Sequence, residues 1–260
     1  ITGASSGIGK EFSRIHAAKG GDLIIVARNQ NRLNELKTEL ESQYKVKVKI
    51  IVKDLSQPEA PKEIYDEVKA SKIEIDYLIN NAGASPRNTI DSVTNESFEW
   101  AMRLNVRAPL FLTQAVVTAF RQQKSGGTVV NIGSINAHCG QADLLPYSMA
   151  KGAMMTMTRN LGNALGKENI RVNQLNVGWT LTPNESKIKE TEGFPQNWED
   201  KIPATYAPSG KLLRPVDIAR HAAFWASDIS APSNAVVYEL EQYPMIGRNL
   251  INEIALDIFK

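Results

Sequence analysis

Short apolar runs rich in valine and isoleucine recur along the chain, separated by longer stretches in which apolar residues return every three or four positions. Leu23 to Ala27, Val46 to Val52, Tyr77 to Ile79, Thr128 to Ile132 and Ile170 to Val177 read as strands, and Ile1-Thr2 as the end of an earlier one. Because Ile1 falls inside that first strand, several of its residues are expected to precede the sequence given. Helical spacing covers Lys10 to Lys19, Arg32 to Ser42, Pro58 to Ala70 and Tyr147 to Leu165, with a long amphipathic stretch, Glu96 to Lys124, broken by Pro109. Ser56-Gln57-Pro58-Glu59 has the form of a capping box ahead of the third helix. Strictly alternating strands and helices predict an α/β fold, a doubly wound parallel sheet flanked by helices as one domain over residues 1–260.

In such sheets ligands bind beyond the carboxyl ends of the strands, and chemically useful residues cluster there. Gly3, Arg28, Asp54, Asn81, Ser134 and Gly178 each follow a predicted strand. Around the first, Thr2-Gly3-Ala4-Ser5-Ser6-Gly7-Ile8-Gly9 joins strand to helix through glycines. Gly3 permits the tight turn, Gly7 the approach of backbone amides to a pyrophosphate, and Gly9 close packing of helix on strand. The spacing differs from a P-loop, which disfavours nucleoside triphosphate hydrolysis. Farther on, Tyr147 and Lys151 sit four residues apart on one predicted helix face, thirteen residues after Ser134. A phenol normally titrates near pKa ~10. A neighbouring ammonium favours its ionised form, so Tyr147 with Lys151 is a candidate acid/base centre.

Four motifs together carry a resemblance: the Thr2–Gly9 turn, Asn80-Asn81-Ala82-Gly83, Asn105 within Leu104-Asn105-Val106, and Ser134 with Tyr147 and Lys151. The chain resembles the short-chain dehydrogenase/reductase family, in its compact single-domain, Rossmann-type branch, along essentially its whole length. The resemblance implies hydride transfer between a nicotinamide cofactor and a carbonyl or alcohol carbon of a small molecule. Asn105, Ser134, Tyr147 and Lys151 would be the catalytic set. Gly3, Ser5, Ser6, Gly7, Ile8, Gly9, Arg28, Asp54, Leu55, Asn81, Ala82, Gly83, Tyr147, Lys151, Thr180 and Thr182 would meet the cofactor, with Asp54 at the position that accepts from the adenine amino group. Asn105 would shape a helix kink and orient a water in the proton path. Homodimers or homotetramers are common in the family, through helices near residues 105–124 and 147–165.

Ala27 stands where NAD-preferring members carry aspartate and Arg28 where NADP-preferring members carry arginine, so NADP(H) is favoured over NAD(H). The alternative makes Arg28 a solvated strand-end residue and the protein an NAD-linked alcohol or sugar dehydrogenase. A protein that binds NADP(H) without turnover, acting as a regulator, would need the glycine turn but not Tyr147. Asn136, Gln141, Leu144 and Trp179 are candidate substrate contacts, and residues 184–210 are expected to form a mobile lid. Two departures from the family pattern stand out. Val177 replaces the usual proline before Gly178, and Tyr238 to Pro244 replaces a frequent Asp-Gly-Gly ending.

Composition adds exclusions. Among 260 residues the net charge is +2, and lysines are interleaved with acids rather than gathered, so nucleic-acid binding is not expected. No apolar run approaches the roughly 18 residues needed to span a bilayer. The single Cys139 forms no internal disulfide and no leader is recognisable, which points to a reducing, cytoplasmic setting. His16, His138 and His221 lack metal-ligand spacing, and no glycine elbow presents a nucleophile, so neither a metal site nor a hydrolase is expected.

Overall fold

A computed structural model describes residues 1–242 apart from Cys139 and Thr205. Its strands are all parallel: β1 (Leu23–Ala27), β2 (Val48–Val52), β3 (Tyr77–Asn80), β4 (Gly127–Ile132), β5 (Ile170–Val177) and β6 (Val237–Leu240). β2 pairs with β1, while β3, β4, β5 and β6 follow one another in that order. Residues 1 and 2 join the two groups: Thr2 bridges Val26 of β1, and its N–H donates to Ile79 O of β3 at 3.0 Å. The chain direction around the sheet therefore reverses beside Thr2 and β3, the switch point where such folds open a ligand crevice. β4 and β5 are buried along nearly their whole length, as parallel strands covered on both faces must be.

Helices α3 (Ala60–Ala70), α5 (Ala108–Gln123) and α6 (Leu145–Leu165) pack on one face, contributing Ile64, Val68, Leu112, Val116, Val117, Phe120 and Leu165 to a core with β3, β4 and β5. On the other face, α1 (Gly7–Ala18) and α8 (Pro215–Ala226) meet around Phe12, Ala219, Ala222 and Trp225, and α2 (Gln30–Tyr44) covers β1 with Leu33, Leu36 and Leu40. Through the sheet centre runs a buried polar chain. Asn80 Nδ2 donates to Asn131 Oδ1 at 2.9 Å, Asn131 Nδ2 to Thr158 Oγ1 at 2.9 Å, Thr158 Oγ1 to Gln174 Oε1 at 2.8 Å, and Gln174 Nε2 to Asn176 Oδ1 at 2.7 Å.

Several sequence expectations change. The capping box at Ser56–Glu59 does not form. The Ser56 N–H and Oγ–H both donate to Asp54 Oδ1 at 2.9 Å, making a local turn that competes with capping, and α3 starts later behind Glu59, with Pro61 in its first turn. The long amphipathic stretch is interrupted by a π-helical turn at Arg103–Arg107, between α4 (Asn95–Met102) and α5, rather than by Pro109. Pro109 instead occupies the first turn of α5, where no N–H is needed. Much of the expected 184–210 loop is ordered: α7 (Pro183–Thr191) and a 3-10 turn at Trp198–Lys201 pack through Trp198, Ile202, Ala207 and Leu212. α8 and β6 also extend the predicted set. Cys139 and the segment from Tyr243 lie outside the described residues; within the described residues no helix is long and apolar enough to cross a membrane.

Candidate active site

A cleft of about 1180 Å³ opens at the switch point and runs from the glycine turn to α7. Gly3 and Gly7 hold φ of +65° and +53°, which L side chains rarely adopt. A Cβ on Gly9 would lie 2.5 Å from Gly3 O and 2.6 Å from Asn81 Nδ2, so the helix meets the turn without room for one. α1 begins at Gly7 with Ser6 as its N-cap, and the Ser6 side chain makes no capping hydrogen bond. A bare cradle with an open helix N-terminus fits a pyrophosphate. Thr2 ties this turn to the far wall, its Oγ1 accepting the N–H groups of Asn81 and Ala82 at 2.9 Å.

Gly3, Ser5, Ser6, Gly7, Ile8, Arg28, Asp54, Leu55, Asn81, Ala82 and Gly83 all line the cleft, whereas Gly9 stands behind it as packing. The Arg28 side chain is 71% exposed and lies 3.9 Å from Asp54 Oδ2. Asp54 is partly engaged already, by Ser56 and by Arg28. Thr180 and Thr182 reach the same cleft, but each hydroxyl has a local partner: Thr180 Oγ1 donates to Gly178 O at 3.0 Å, and Thr182 Oγ1 caps α7 by accepting the Glu185 N–H at 3.0 Å.

At the other end, Pro146 lies in the first turn of α6, and one turn of that helix separates Tyr147 from Lys151. Ser134, just beyond β4, accepts the Asn136 N–H at 3.2 Å, and its hydroxyl favours the ionised form of the Tyr147 phenol. Lys151 Nζ sits 5.6 Å from the Tyr147 ring centroid and donates to Ile132 O at 2.8 Å. Burial pushes the Tyr147 phenol above its ordinary range, with the Ser134 hydroxyl opposing it. Desolvation is the largest of these effects, and Glu185 and Arg87 act on the phenol in opposite senses. Burial also lowers Lys151, to about 8. Asn105 is fully buried in the π-helical turn and does not line the cleft. Its Nδ2 donates to Ala84 O at 3.1 Å and its Oδ1 accepts the Ala84 N–H at 3.3 Å, so it clamps the backbone beside Gly83.

Asn136, Gln141, Leu144 and Trp179 line the same end of the cleft. The Trp179 ring stacks on Trp198 at 5.4 Å, against the apolar cluster of Trp198, Ile202, Ala207 and Leu212. Its Nε1–H donates to Glu185 Oε1 at 2.9 Å. After Val177, which pairs with Leu240, the turn is closed by Glu241 Oε2 accepting the Trp179 N–H at 3.3 Å. Sequence reasoning missed the charges that surround this end. Arg87 Nε donates to Glu192 Oε1 at 2.8 Å and lies 3.5 Å from Asp143 Oδ2, while Lys189 Nζ reaches Glu192 Oε2 at 2.6 Å. Arg87 and Glu192 are 105 residues apart, and no local spacing announces such a pair. Among the described residues no group of His, Cys, Asp and Glu is arranged to hold a metal ion.

Comparison with known proteins agrees with this architecture. D-xylose 1-dehydrogenase from Caulobacter vibrioides is 33% identical over 230 residues, covering 88% of this chain and 87% of that protein. Galactitol 2-dehydrogenase from Agrobacterium fabrum is 30% identical, covering 93% and 94%. Among solved structures, L-sorbose reductase from Gluconobacter frateurii, complexed with NADPH and L-sorbose, superposes with a TM-score of 0.86 at 28% identity, over 93% of each chain. Residues 1–193 match the model of the short chain dehydrogenase family. The chain is thus an oxidoreductase belonging to the short-chain dehydrogenase/reductase family.

Proposed function

We propose that the protein transfers hydride between NADP(H) and a carbonyl or secondary alcohol carbon of a sugar-type substrate, with Tyr147 as general acid/base. The observation that carries this reading is that Ser134, Tyr147 and Lys151 line one wall of a cleft that continues to the glycine turn, with Ser134 favouring ionisation of the phenol. Two preorganised hydroxyls side by side are what a polarised carbonyl oxygen needs. The bound nicotinamide supplies or accepts the hydride. Ser134 hydrogen-bonds the substrate oxygen, while Tyr147 delivers its proton to that oxygen in reduction and withdraws it in oxidation. Lys151 keeps a buried ammonium beside the phenol and is placed to hold ribose hydroxyls. Asn105 acts at one remove, by fixing Ala84 and the turn around Gly83. The pyrophosphate would rest on the N-terminus of α1, and Arg28 would pair with a ribose 2′-phosphate.

A relative solved with NADPH and L-sorbose supports both the cofactor and a polyhydroxylated substrate. The test is to follow oxidation of NADPH and of NADH with a panel of ketoses and simple ketones, for the parent and for Arg28→Ala. Faster turnover with NADPH is expected, with that preference reduced about tenfold or more in the variant, as for loss of a charge-assisted contact. Equal use of both cofactors by parent and variant would instead make Arg28 a solvated strand-end residue and favour the NAD-linked reading.

A further inference from the structure

Glu185 occupies an unusual place for a carboxylate. It lies in the first turn of α7, half-buried, and faces into the same end of the cleft as Tyr147. Its position is fixed twice over. The backbone N–H is held by Thr182 Oγ1 at 3.0 Å, and Oε1 accepts the Trp179 Nε1–H at 2.9 Å. Trp179 is itself immobilised, stacked on Trp198 with Lys189 Nζ 5.6 Å above its ring. From the described residues no hydrogen bond or ion pair reaches Oε2. Glu185 and Arg87 also act on the Tyr147 phenol, the first disfavouring and the second favouring its ionisation.

The chemistry at this end suits hydroxyl groups. Arg87, Lys187 and Lys189 are matched by Asp143, Glu185 and Glu192, which leaves the Lys151 ammonium, buried and already donating to Ile132 O, as the one further charge among the described residues at this end. Arg87 is already engaged by Glu192 and Asp143. A carboxylate oxygen with unused lone pairs accepts a hydrogen bond from a neutral hydroxyl strongly, and an unhydroxylated ligand would leave that oxygen unmatched as it displaces water. Asn136 and Gln141, on the same wall, carry amides able both to donate and to accept. Resting on the reading of this site given above, we infer that Glu185 is a substrate-specificity residue, whose Oε2 accepts a hydroxyl of a neutral polyhydroxylated carbonyl compound, and that Trp179 is the positioning residue that aims it.

Calorimetric titration of each of the D-ketohexoses, and of 2-hexanone, into the NADPH-saturated Tyr147→Phe protein tests this without turnover. Failure of the hydride-transfer reading would appear separately, in the oxidation assay. In that background, Glu185→Ala is expected to weaken ketohexose binding about tenfold or more, in line with loss of a hydrogen bond to a charged group. Glu185→Gln should restore part of the loss. Trp179→Phe, which keeps the stack but lacks the indole N–H, should weaken the ketohexose less than Glu185→Ala does. Binding of 2-hexanone should weaken in none of these variants, and should tighten in Glu185→Ala, where the unmatched carboxylate is gone. Ketohexose affinity indifferent to Glu185, no ketohexose binding at all, or equal weakening of both ligands would overturn the assignment.

Discussion

Burial acts on Tyr147 and Lys151 in the same physical way and with opposite chemical results, since it favours the neutral form of each. For Tyr147 that form is the proton donor, so the phenol stays protonated through and beyond the neutral range. For Lys151 it is the amine, reached as pH rises past about 8 rather than near the ordinary lysine value of 10.5. In the reductive direction the proposed chemistry uses the protonated phenol and the charged ammonium, both present below about 8. The expected profile of kcat/KM for reduction is therefore flat toward neutrality and falls above about pH 8, because this parameter reports the free enzyme's groups. A reductive kcat/KM that rises from about pH 7 to about pH 9 would contradict the assignment of Lys151.

At the scale of elements, the cleft depends on how closely α1 approaches the sheet. A Gly9→Ala methyl would lie 2.5 Å from the Gly3 carbonyl oxygen and 2.6 Å from the Asn81 amide, which is itself held by Thr2 O, so little room is left to yield. A loss of roughly 1–3 kcal/mol in stability is expected from such overpacking, together with weaker NADPH binding as the turn is pushed open. Denaturant midpoint and fluorescence titration check both, and an unchanged midpoint with unchanged affinity would refute the packing role. Leu23–Ala27 was plain in the sequence because a parallel strand buried on both faces reads as a continuous apolar run, whereas Ile170–Val177 carries polar residues that the buried hydrogen-bonded chain absorbs. The spacing of Ile218, Ala222 and Trp225 behind Pro215 likewise carries the signal for α8, where none was assigned. α7 was not legible, since its sequence has no buried face and it is held by the Thr182 cap and by Arg87, far off in the chain. The π-helical turn at Asn105 was visible only as a kink implied by resemblance, because its register follows from Asn105 bonding to Ala84 and Ala101 rather than from any periodicity.

Across the whole molecule, the two sheet segments and both helix layers converge on the line of residues from Thr2 to Ser134. The polar chain from Asn80 through Asn131 and Thr158 to Asn176 crosses three strands beneath it and links them to α6. Asn131→Ala would leave Asn80 Nδ2 without one of its acceptors and Thr158 without a donor in the dry interior. A cost of about 1–3 kcal/mol is expected, read from the shift in denaturant midpoint, and a loss well under this would mean that the chain is incidental to stability. With that frame in place, the function rests on one hydroxyl. The most direct measurement compares Tyr147→Phe with the parent, following NADPH oxidation with a reducible ketose and, separately, the NADPH dissociation constant. The account predicts turnover lower by at least about 100-fold, the range of a lost general acid, with cofactor affinity within about twofold. Turnover close to that of the parent would contradict it.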